Sequence, residues 1–233
     1  MPEVLSIRSI AGVLVAGLAN QIRGFQLRDL SKFFQIKTCE NPKGAFAIAS
    51  HEGILSVASP NIQVGTVHFT RFKEGRMIEG ERPLVISAHQ GAIACLTLNR
   101  DGSILATTSE QGTLIRLFNT QSGEKVSEVR RGSEQALIKH LAFDWETGAY
   151  LSCCSNKNSI HIFKTPPIQA SNPGGQTQDE EGKTAANEAT TINQSGNTRS
   201  YFSALSSVVA FVGSEWSFAQ LRLEQDTMID ESA

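Results

Sequence analysis

The chain lacks a cysteine motif, an excess of positive charge and a long apolar run, and each absence excludes a class of protein. Its four cysteines show no CxxC spacing, and the adjacent pair is poorly placed to bridge itself or to chelate one metal ion. We therefore expect no metal site and interpret the thiols as buried groups in a reducing compartment. The cysteines are Cys39, Cys95, Cys153 and Cys154.

The formal net charge of −2 argues against a general nucleic-acid binder, which normally carries a basic excess. Any anion-binding site must therefore be local. No basic and apolar leader stands at the N-terminus, and no apolar run approaches the ~20 residues that span a bilayer. The sequence predicts a protein that is cytosolic or peripheral on a membrane.

Signatures of catalysis and of nucleotide binding are missing as well. Gly182, Lys183 and Thr184 resemble the end of a P-loop, but the glycine required five positions before Gly182 is absent, and no buried strand precedes the motif. The sequence contains no GxSxG or HExxH motif and no convincing acid–base pair. We predict that the chain is not an enzyme and has no cofactor.

A repeat organises the first two thirds of the chain. Four extended apolar segments each close on a phenylalanine, at Phe25, Phe69, Phe118 and Phe163, with spacings of 44, 49 and 45 residues. A period near 45 that contains several short strands is typical of WD repeats. Each such unit folds into a four-stranded blade that buries its faces only against neighbouring blades. The pattern excludes an ordinary helical domain.

The two best copies of the repeat predict the strands within a blade. Apolar and polar residues alternate in a first strand, a polar turn follows, and a β-rich second strand and a serine-containing turn lead to the third strand. We predict an all-β fold, a WD40-type β-propeller with about four blades over residues 1–165. The aligned positions are Ile93, Leu96, Leu98, Gly102, Leu105, Ser109 and Phe118, and Ile138, Leu141, Phe143, Gly148, Leu151, Ser155 and Phe163.

The composition changes abruptly after the fourth repeat. A Pro-Pro pair opens a tract rich in Ser, Thr, Asn, Gln and Gly, which cannot bury enough apolar surface to order itself. Strand-like character returns only near residue 215. We predict that residues 166–214 are a loop inserted in the last blade, that residues 215–224 are the closing strand of that blade, and that residues 225–233 are an acidic tail.

Six apolar residues near the end of this loop recur at helical spacing and predict an amphipathic segment. Inserted into a bilayer, they would contribute several kcal/mol at roughly 1.5–3 kcal/mol each, less the cost of ordering the loop. The alternatives are a helix packed on the core and a disordered chain. The residues are Tyr201, Phe202, Leu205, Val208, Val209 and Val212.

Two consecutive arginines, Arg130 and Arg131, stand at the boundary between the third and fourth repeats. Successive side chains of a strand point to opposite sides, so one dipeptide can serve two pockets, one in each flanking blade. Guanidinium groups suit phosphate better than ammonium groups do, because they offer several donors in a fixed plane. We predict an anion-binding pocket on either side of the pair.

Hydroxyl and imidazole side chains at the corresponding turns would complete both pockets. Alternatively these residues are structural, since a WD-repeat histidine commonly bonds within its blade and serines such as Ser109 and Ser155 cap turns. The candidates in the earlier blade are His89, Thr107, Ser109, Thr113 and Arg116, and those in the later blade are Ser155, Ser159 and His161.

The run from AHQGAIACL through EVRRG to SNKNSIHIFK resembles the PROPPIN family, the WIPI-type propellers of autophagy. The family motif, an aromatic residue before Arg-Arg-Gly, is matched by Val129, Arg130, Arg131 and Gly132, with valine in the aromatic position. The segment NPKGAFAIAS and the ending SEWSFAQLRL are also similar to the family. The resemblance covers nearly all of the chain outside the polar loop.

The resemblance implies two phosphoinositide pockets that prefer phosphatidylinositol 3-phosphate and 3,5-bisphosphate, and a loop that enters the bilayer. It implies work on phagophore and endosomal membranes in autophagosome formation, with an autophagy lipid-transfer protein as partner. The family propeller has seven blades, so about four blades here indicate a partial chain. The implied first pocket comprises His89, Thr107, Ser109, Thr113, Arg116 and Arg130, and the second comprises Arg131, Ser155, Ser159 and His161.

The alternative function is a WD-repeat scaffold whose arginines bind an acidic peptide or stabilise the blade. That hypothesis predicts binding of a protein partner without lipid. A phosphoinositide effector instead predicts lipid binding that weakens at high salt, because exposed charge contacts are screened.

Overall fold

A computed structural model describes residues 3–166 and 215–222 of the 233-residue chain. These residues form strands and turns. Within them, no helix is long and apolar enough to cross a membrane. The predicted amphipathic segment, almost all of the inserted loop and the acidic tail lie outside the described residues.

The strands form four sheets that follow one another along the chain. Blade 1 comprises β1 (Ser6–Ile10), β2 (Val13–Leu18), β3 (Gln21–Gln26) and β4 (Lys32–Lys37). Blade 2 comprises β5 (Ala47–His51), β6 (Ile54–Pro60), β7 (Thr66–Lys73), the short β8 (Arg76–Met77) and β9 (Leu84–Ser87). Blade 3 comprises β10 (Ile93–Leu98), β11 (Ile104–Ser109), β12 (Leu114–Asn119) and β13 (Lys125–Arg130). Blade 4 begins with β14 (Ile138–Phe143), β15 (Tyr150–Ser155) and β16 (Ser159–Lys164).

Neighbouring strands of each blade pair antiparallel, as short polar turns require, except that β9 pairs with β7 and not with the short β8. The prediction of an all-β propeller with four blades is confirmed. In blade 2, however, the phenylalanine that closes the repeat is not the one that the sequence predicted. There Phe72, opposite Leu55, occupies the place that Phe118 holds opposite Leu105 in blade 3.

Phe69 was the residue expected from the sequence, but it lies on the other face of β7 and packs towards blade 3. Two phenylalanines three positions apart on one strand point to opposite faces, and sequence spacing did not distinguish them. With Phe72 in place of Phe69, the spacings from Phe25 to Phe163 become 47, 46 and 45 residues, a more regular repeat.

The hydrophobic core consists of three clusters, each between two neighbouring blades. Alternation along each strand sends successive residues to different clusters. Leu105 packs in the cluster between blades 2 and 3, whereas the next residue, Ala106, packs in the cluster between blades 3 and 4. Both residues have no exposed surface. The inner blades are therefore held from both sides.

The C-terminal described segment forms two short strands. β17 (Glu215–Trp216) pairs in parallel with β13 at the outer edge of blade 3. β18 (Ala219–Arg222) then pairs antiparallel with β16 and supplies the fourth strand of blade 4. The segment expected to close one blade thus contributes to two, and β17 covers the outer edge of β13 at its last two residues, Val129 and Arg130.

The cysteines differ in burial, which corrects the expectation that all four are buried. Cys153 is buried, whereas Cys39, Cys95 and Cys154 are partly exposed, and all four are free thiols. Burial raises the pKa of the Cys153 thiol to about 12, so this group stays protonated and unreactive.

Replacement of a residue between two blades should be costly. Leu151 lies on β15 without exposed surface, in the cluster between blades 3 and 4. We expect Leu151→Ala to lower the free energy of unfolding by about 2–5 kcal/mol. The matched change Leu27→Ala, at a turn residue that is 46% exposed, should cost less than ~0.5 kcal/mol. Urea denaturation measures both, and equal losses would contradict the role of this cluster.

Candidate functional site

The two arginines singled out in the sequence lie at the outer end of blade 3. Arg130 is the last residue of β13 and stands opposite Leu114, and the backbone N–H of Arg131 donates to the carbonyl oxygen of Thr113 at 2.9 Å. Only 8% of Arg130 and 6% of Arg131 is exposed. A guanidinium buried to this extent needs hydrogen-bond partners.

The side chains of this segment alternate between the two faces of the blade. Val129 packs in the cluster between blades 3 and 4, so the strand alternation directs Arg130 to the opposite face, towards blade 2. Arg131 reaches the side of blade 4, where it lines a cavity with Ser159 and His161. The adjacent arginines thus lie on opposite faces of the blade, with Arg131 in the cluster towards blade 4 and Arg130 on the face towards blade 2.

The cluster towards blade 4 surrounds an open cavity of about 630 Å³. In it, Nε2 of His161 lies 3.2 Å from the Ser159 hydroxyl oxygen, and Nδ1 lies 3.3 Å from the hydroxyl oxygen of Ser217. An exposed ion pair between Lys157 and Glu134, 3.4 Å long, stands at the edge. The cavity is therefore lined by a guanidinium, an imidazole, hydroxyl groups and an ammonium group, with the Glu134 carboxylate paired to the ammonium group.

A glycine holds Arg131 in this position. Nε of Arg131 donates to the carbonyl oxygen of Gly112 at 2.9 Å, and Nη2 donates to the carbonyl oxygen of Glu134. Gly112 has φ +61°, and a Cβ there would collide with the backbone oxygen of Ala136. Only glycine fits this turn without strain, and through the turn it fixes the guanidinium.

The cluster towards blade 2 is organised by hydrogen bonds between strands. Nε2 of His89 lies 3.0 Å from the hydroxyl oxygen of Thr107, which is fully buried. Arg116, opposite Thr107, donates through Nε to the Glu128 carboxylate at 2.7 Å and through Nη1 to the Ala88 carbonyl at 2.7 Å. Three of the predicted residues, His89, Thr107 and Arg116, are thus close together, and the Glu128 carboxylate contacts Arg116.

Three predicted residues have backbone or turn roles beside these clusters. The carbonyl oxygen of Thr113 accepts from the N–H groups of Arg131 and Gly132, and that of Ser109 accepts from the N–H of Gly112. The Ser155 hydroxyl accepts from the N–H of Lys157 at 3.3 Å, which caps the turn before β16. These contacts agree with the structural alternative for the serines and leave their part in ligand binding a prediction.

Sequence reasoning did not identify several residues of the two clusters. Glu128 carried a usable signal, since it precedes Arg130 by two positions on a strand and therefore shares its face. The Lys157–Glu134 pair and Ser217 carried none, because their contacts join segments that are far apart in the chain.

The imidazoles of His89 and His161 are neutral at pH 7. Burial, assisted by the charge of Arg116, lowers the pKa of His89 to about 4. Burial, assisted by Arg131, also lowers the pKa of His161. A neutral imidazole offers one donor and one acceptor, and an anion bound beside it would raise its pKa again. Proton uptake and anion binding would therefore favour each other at each cluster.

Within residues 3–166 and 215–222, no group of three or more metal-binding side chains comes together. The two clusters combine guanidinium donors, hydroxyl groups and imidazoles at the boundary of a blade, which are groups that can donate hydrogen bonds to an anion. These features define a WD-type propeller with a buried arginine pair between two polar clusters.

Comparison with known proteins places the chain within a family. The PROPPIN family model matches residues 2–192. The chain belongs to the PROPPIN family, as the sequence resemblance predicted.

Curated relatives extend beyond the length of this chain. Autophagy-related protein 18e of Arabidopsis thaliana is 34% identical over 167 residues, which are 71% of this chain and 42% of that protein. Autophagy-related protein 18 of Kluyveromyces lactis is 36% identical over 132 residues, which are 50% of this chain and 26% of that protein. The chain thus spans less than half the length of these relatives.

Solved structures have the same fold. Hsv2 of Kluyveromyces lactis, with its complete loop 6CD, superposes with a TM-score of 0.64 at 22% identity, over 98% of this chain and 60% of Hsv2. KlAtg21, solved in complex with the coiled coil of AgAtg16, superposes with a TM-score of 0.56 at 23% identity, over 71% of this chain and 54% of KlAtg21. At these identities the likeness concerns the fold alone.

The neutral state of His89 should make stability depend on pH. Its pKa is about 4 in the folded chain and about 6.5 in an unfolded one, so the unfolded chain takes up the proton first as pH falls. The contribution is fully present above about pH 6.5 and is lost as pH falls towards 4. We expect His89→Gln to flatten the decline of the unfolding midpoint between pH 7 and 4.5. Thermal denaturation across this range is the measurement, and parallel curves would contradict it.

Proposed function

We propose that the chain binds phosphoinositide headgroups at two sites, one on each side of blade 3, and acts as an effector recruited to membranes. The observation that carries the proposal is the arginine pair. Arg130 and Arg131 are adjacent and buried, and strand alternation directs Arg130 to the face towards blade 2, whereas Arg131 lines the cavity towards blade 4. On each face a histidine lies within hydrogen-bond distance of a hydroxyl group. Such a pair can serve two separate phosphate groups.

The second site, towards blade 4, has the more open geometry. The Arg131 contacts through Nε and Nη2 run to backbone carbonyl oxygens and not to a carboxylate, so its positive charge is not neutralised by them. Charge-assisted hydrogen bonds from such a group to phosphate are about twice as strong as neutral ones. Ser159, His161 and Lys157 line the same cavity and supply further donors.

The first site, towards blade 2, uses Arg130 together with Arg116, Thr107 and His89. Hydrogen bonds already fix the imidazole of His89 and the guanidinium of Arg116 before any ligand binds. A preorganised set of donors loses little conformational freedom on binding, which favours affinity. Ser109, Thr113 and, at the second site, Ser155 complete the proposed sets.

Family membership supports phosphatidylinositol 3-phosphate and 3,5-bisphosphate as the preferred lipids. The names of the relatives support a role in autophagosome formation. We infer a binding module that moves between the cytosol and phagophore or endosomal membranes and is not an enzyme. Protein partners from the autophagy machinery are part of the proposal, including a lipid-transfer protein, and the complex of KlAtg21 with a coiled coil supports protein binding by this fold.

The loop of residues 166–214 is proposed as a second membrane contact. It leaves blade 4 after β16, and the chain returns beside the second site at Ser217. A headgroup bound there would place the loop near the bilayer. One apolar segment gives weak and reversible membrane binding, which becomes firm when a second signal acts with it.

Removal of both arginines should abolish lipid-specific binding. Each charge-assisted hydrogen bond contributes ~1.5–3 kcal/mol, so Arg130→Thr plus Arg131→Thr should remove most flotation with liposomes that contain phosphatidylinositol 3-phosphate. Liposomes without this lipid set the baseline, and circular dichroism checks the fold of each variant.

The control for this experiment is Arg76→Thr plus Arg82→Thr, which removes the same charge from exposed positions of blade 2. It should float like the wild type. If a folded wild-type chain does not float with liposomes that contain the lipid, the effector function is wrong for this chain. A scaffold that binds proteins without lipid then becomes the better hypothesis. If both double variants lose binding equally, net charge and not the site is responsible.

The apolar residues of the loop should contribute to binding of membranes but not to the affinity for a soluble headgroup. We expect substitution of Tyr201, Phe202, Leu205, Val208, Val209 and Val212 by serine to reduce flotation several-fold, since burial of each apolar side chain contributes ~1.5–3 kcal/mol. Calorimetric titration with soluble inositol 1,3-bisphosphate should give an unchanged affinity. Unchanged flotation would exclude insertion of these residues, and a lost headgroup affinity would indicate a structural role.

A further inference from the structure

Glu128 is the only carboxylate that the described residues place in hydrogen-bond contact with Arg116. Its Oε2 accepts from Nε of Arg116 at 2.7 Å and lies 3.3 Å from Nζ of Lys125. The ion pair is partly buried, with 14% of the Glu128 side chain and 26% of the Arg116 side chain exposed. It spans β12 and β13, where the two residues stand directly opposite each other.

This pair has two opposing effects on the surrounding cluster. The carboxylate fixes the guanidinium of Arg116, whose Nη1 is held by the Ala88 carbonyl at 2.7 Å. It also brings a negative charge to the face of β13 that Arg130 shares. Hydrogen bonds and charge from Arg116 and Lys125 lower the pKa of Glu128 against the opposing effect of burial, so the carboxylate is ionised at neutral pH.

We propose that Glu128 sets the affinity of the first site: it orients Arg116 and, by neutralising that guanidinium, weakens the binding of a phosphate group. The inference rests on the proposed function, because it concerns one of the two proposed sites. Glu128 does not touch the ligand in this scheme. It is a positioning residue that acts through Arg116.

The size of the effect follows from Coulomb's law. A phosphate held by Arg116 and Arg130 lies within a few ångströms of a like-charged carboxylate, at a site only partly open to water. Such a repulsion is screened less than one between surface charges. Glutamine in place of Glu128 keeps an oxygen acceptor for Nε of Arg116 and removes the charge, so orientation is retained and repulsion is lost.

The test isolates the first site by the change Arg131→Thr, which disables the second. In this background we expect Glu128→Gln to tighten binding of soluble inositol 1,3-bisphosphate by about threefold or more, measured by calorimetry. The matched control is Glu124→Gln, which removes the same formal charge from an exposed residue immediately before the first residue of β13. It should leave the affinity within about 1.5-fold.

A second readout separates the charge effect from a structural one. Glu128 raises the pKa of His89, so Glu128→Gln should lower that pKa further, and Glu124→Gln should leave it unchanged. NMR titration of the His89 ring measures this in the otherwise wild-type chain. The same resonance reports occupation of the first site by inositol 1,3-bisphosphate, which keeps the test valid if the Arg131→Thr background does not fold.

The outcomes distinguish this inference from the proposed function. Tighter binding by Glu128→Gln with a lower His89 pKa supports it. Unchanged or weaker binding overturns it, as does an equal gain from Glu124→Gln. If the Arg131→Thr background folds but does not bind, while Arg130→Thr still binds, the first site does not exist and the inference fails, although the function survives at the second site. If neither binds, the proposed function fails with it.

Discussion

Burial of both faces of each sheet is the constraint on which the rest of this structure depends. Successive residues of a strand alternate between the faces, so a blade carries apolar side chains on both and needs a neighbour on each side. Leu105 and Ala106 illustrate this on β11, since they are adjacent in the chain but belong to different clusters. Polar groups that reach these boundaries must find hydrogen-bond partners there.

The arginine pair follows from the same alternation, continued past the end of the apolar core. Val129 is the last core residue of β13, and the next two side chains divide between the faces. The guanidinium of Arg131 donates hydrogen bonds to the carbonyl oxygens of Gly112 and Glu134. Partners of this kind satisfy donors without cancelling the charge, so the group stays suited to an anion. At Arg116 the partner is a carboxylate, and the two clusters differ in this respect.

Local pattern was sufficient for most of the fold because the strands of a blade pair with their neighbours in sequence. It failed at β7, where Phe69 and Phe72 both fit an apolar strand and only their packing shows which one belongs to the repeat. It also did not predict the parallel pairing of β17 with β13, which joins segments about 85 residues apart. The arginine pair was visible because the motif is local, whereas Glu128 becomes informative only when it is paired with Arg116 across two strands.

The adjacency of the two arginines has a consequence for membrane binding. The two proposed sites depend on consecutive residues, Arg130 at the end of β13 and Arg131 directly after it, so that a headgroup in one site would present the other to the same lipid surface. Binding at the other proposed site would then be intramolecular, with an effective concentration far above that of free lipid in solution, and the avidity would exceed either affinity. Two proposed sites of modest affinity would be sufficient under this arrangement. Neutral histidines and a carboxylate beside Arg116 are therefore compatible with firm binding to a membrane and with rapid exchange of single headgroups.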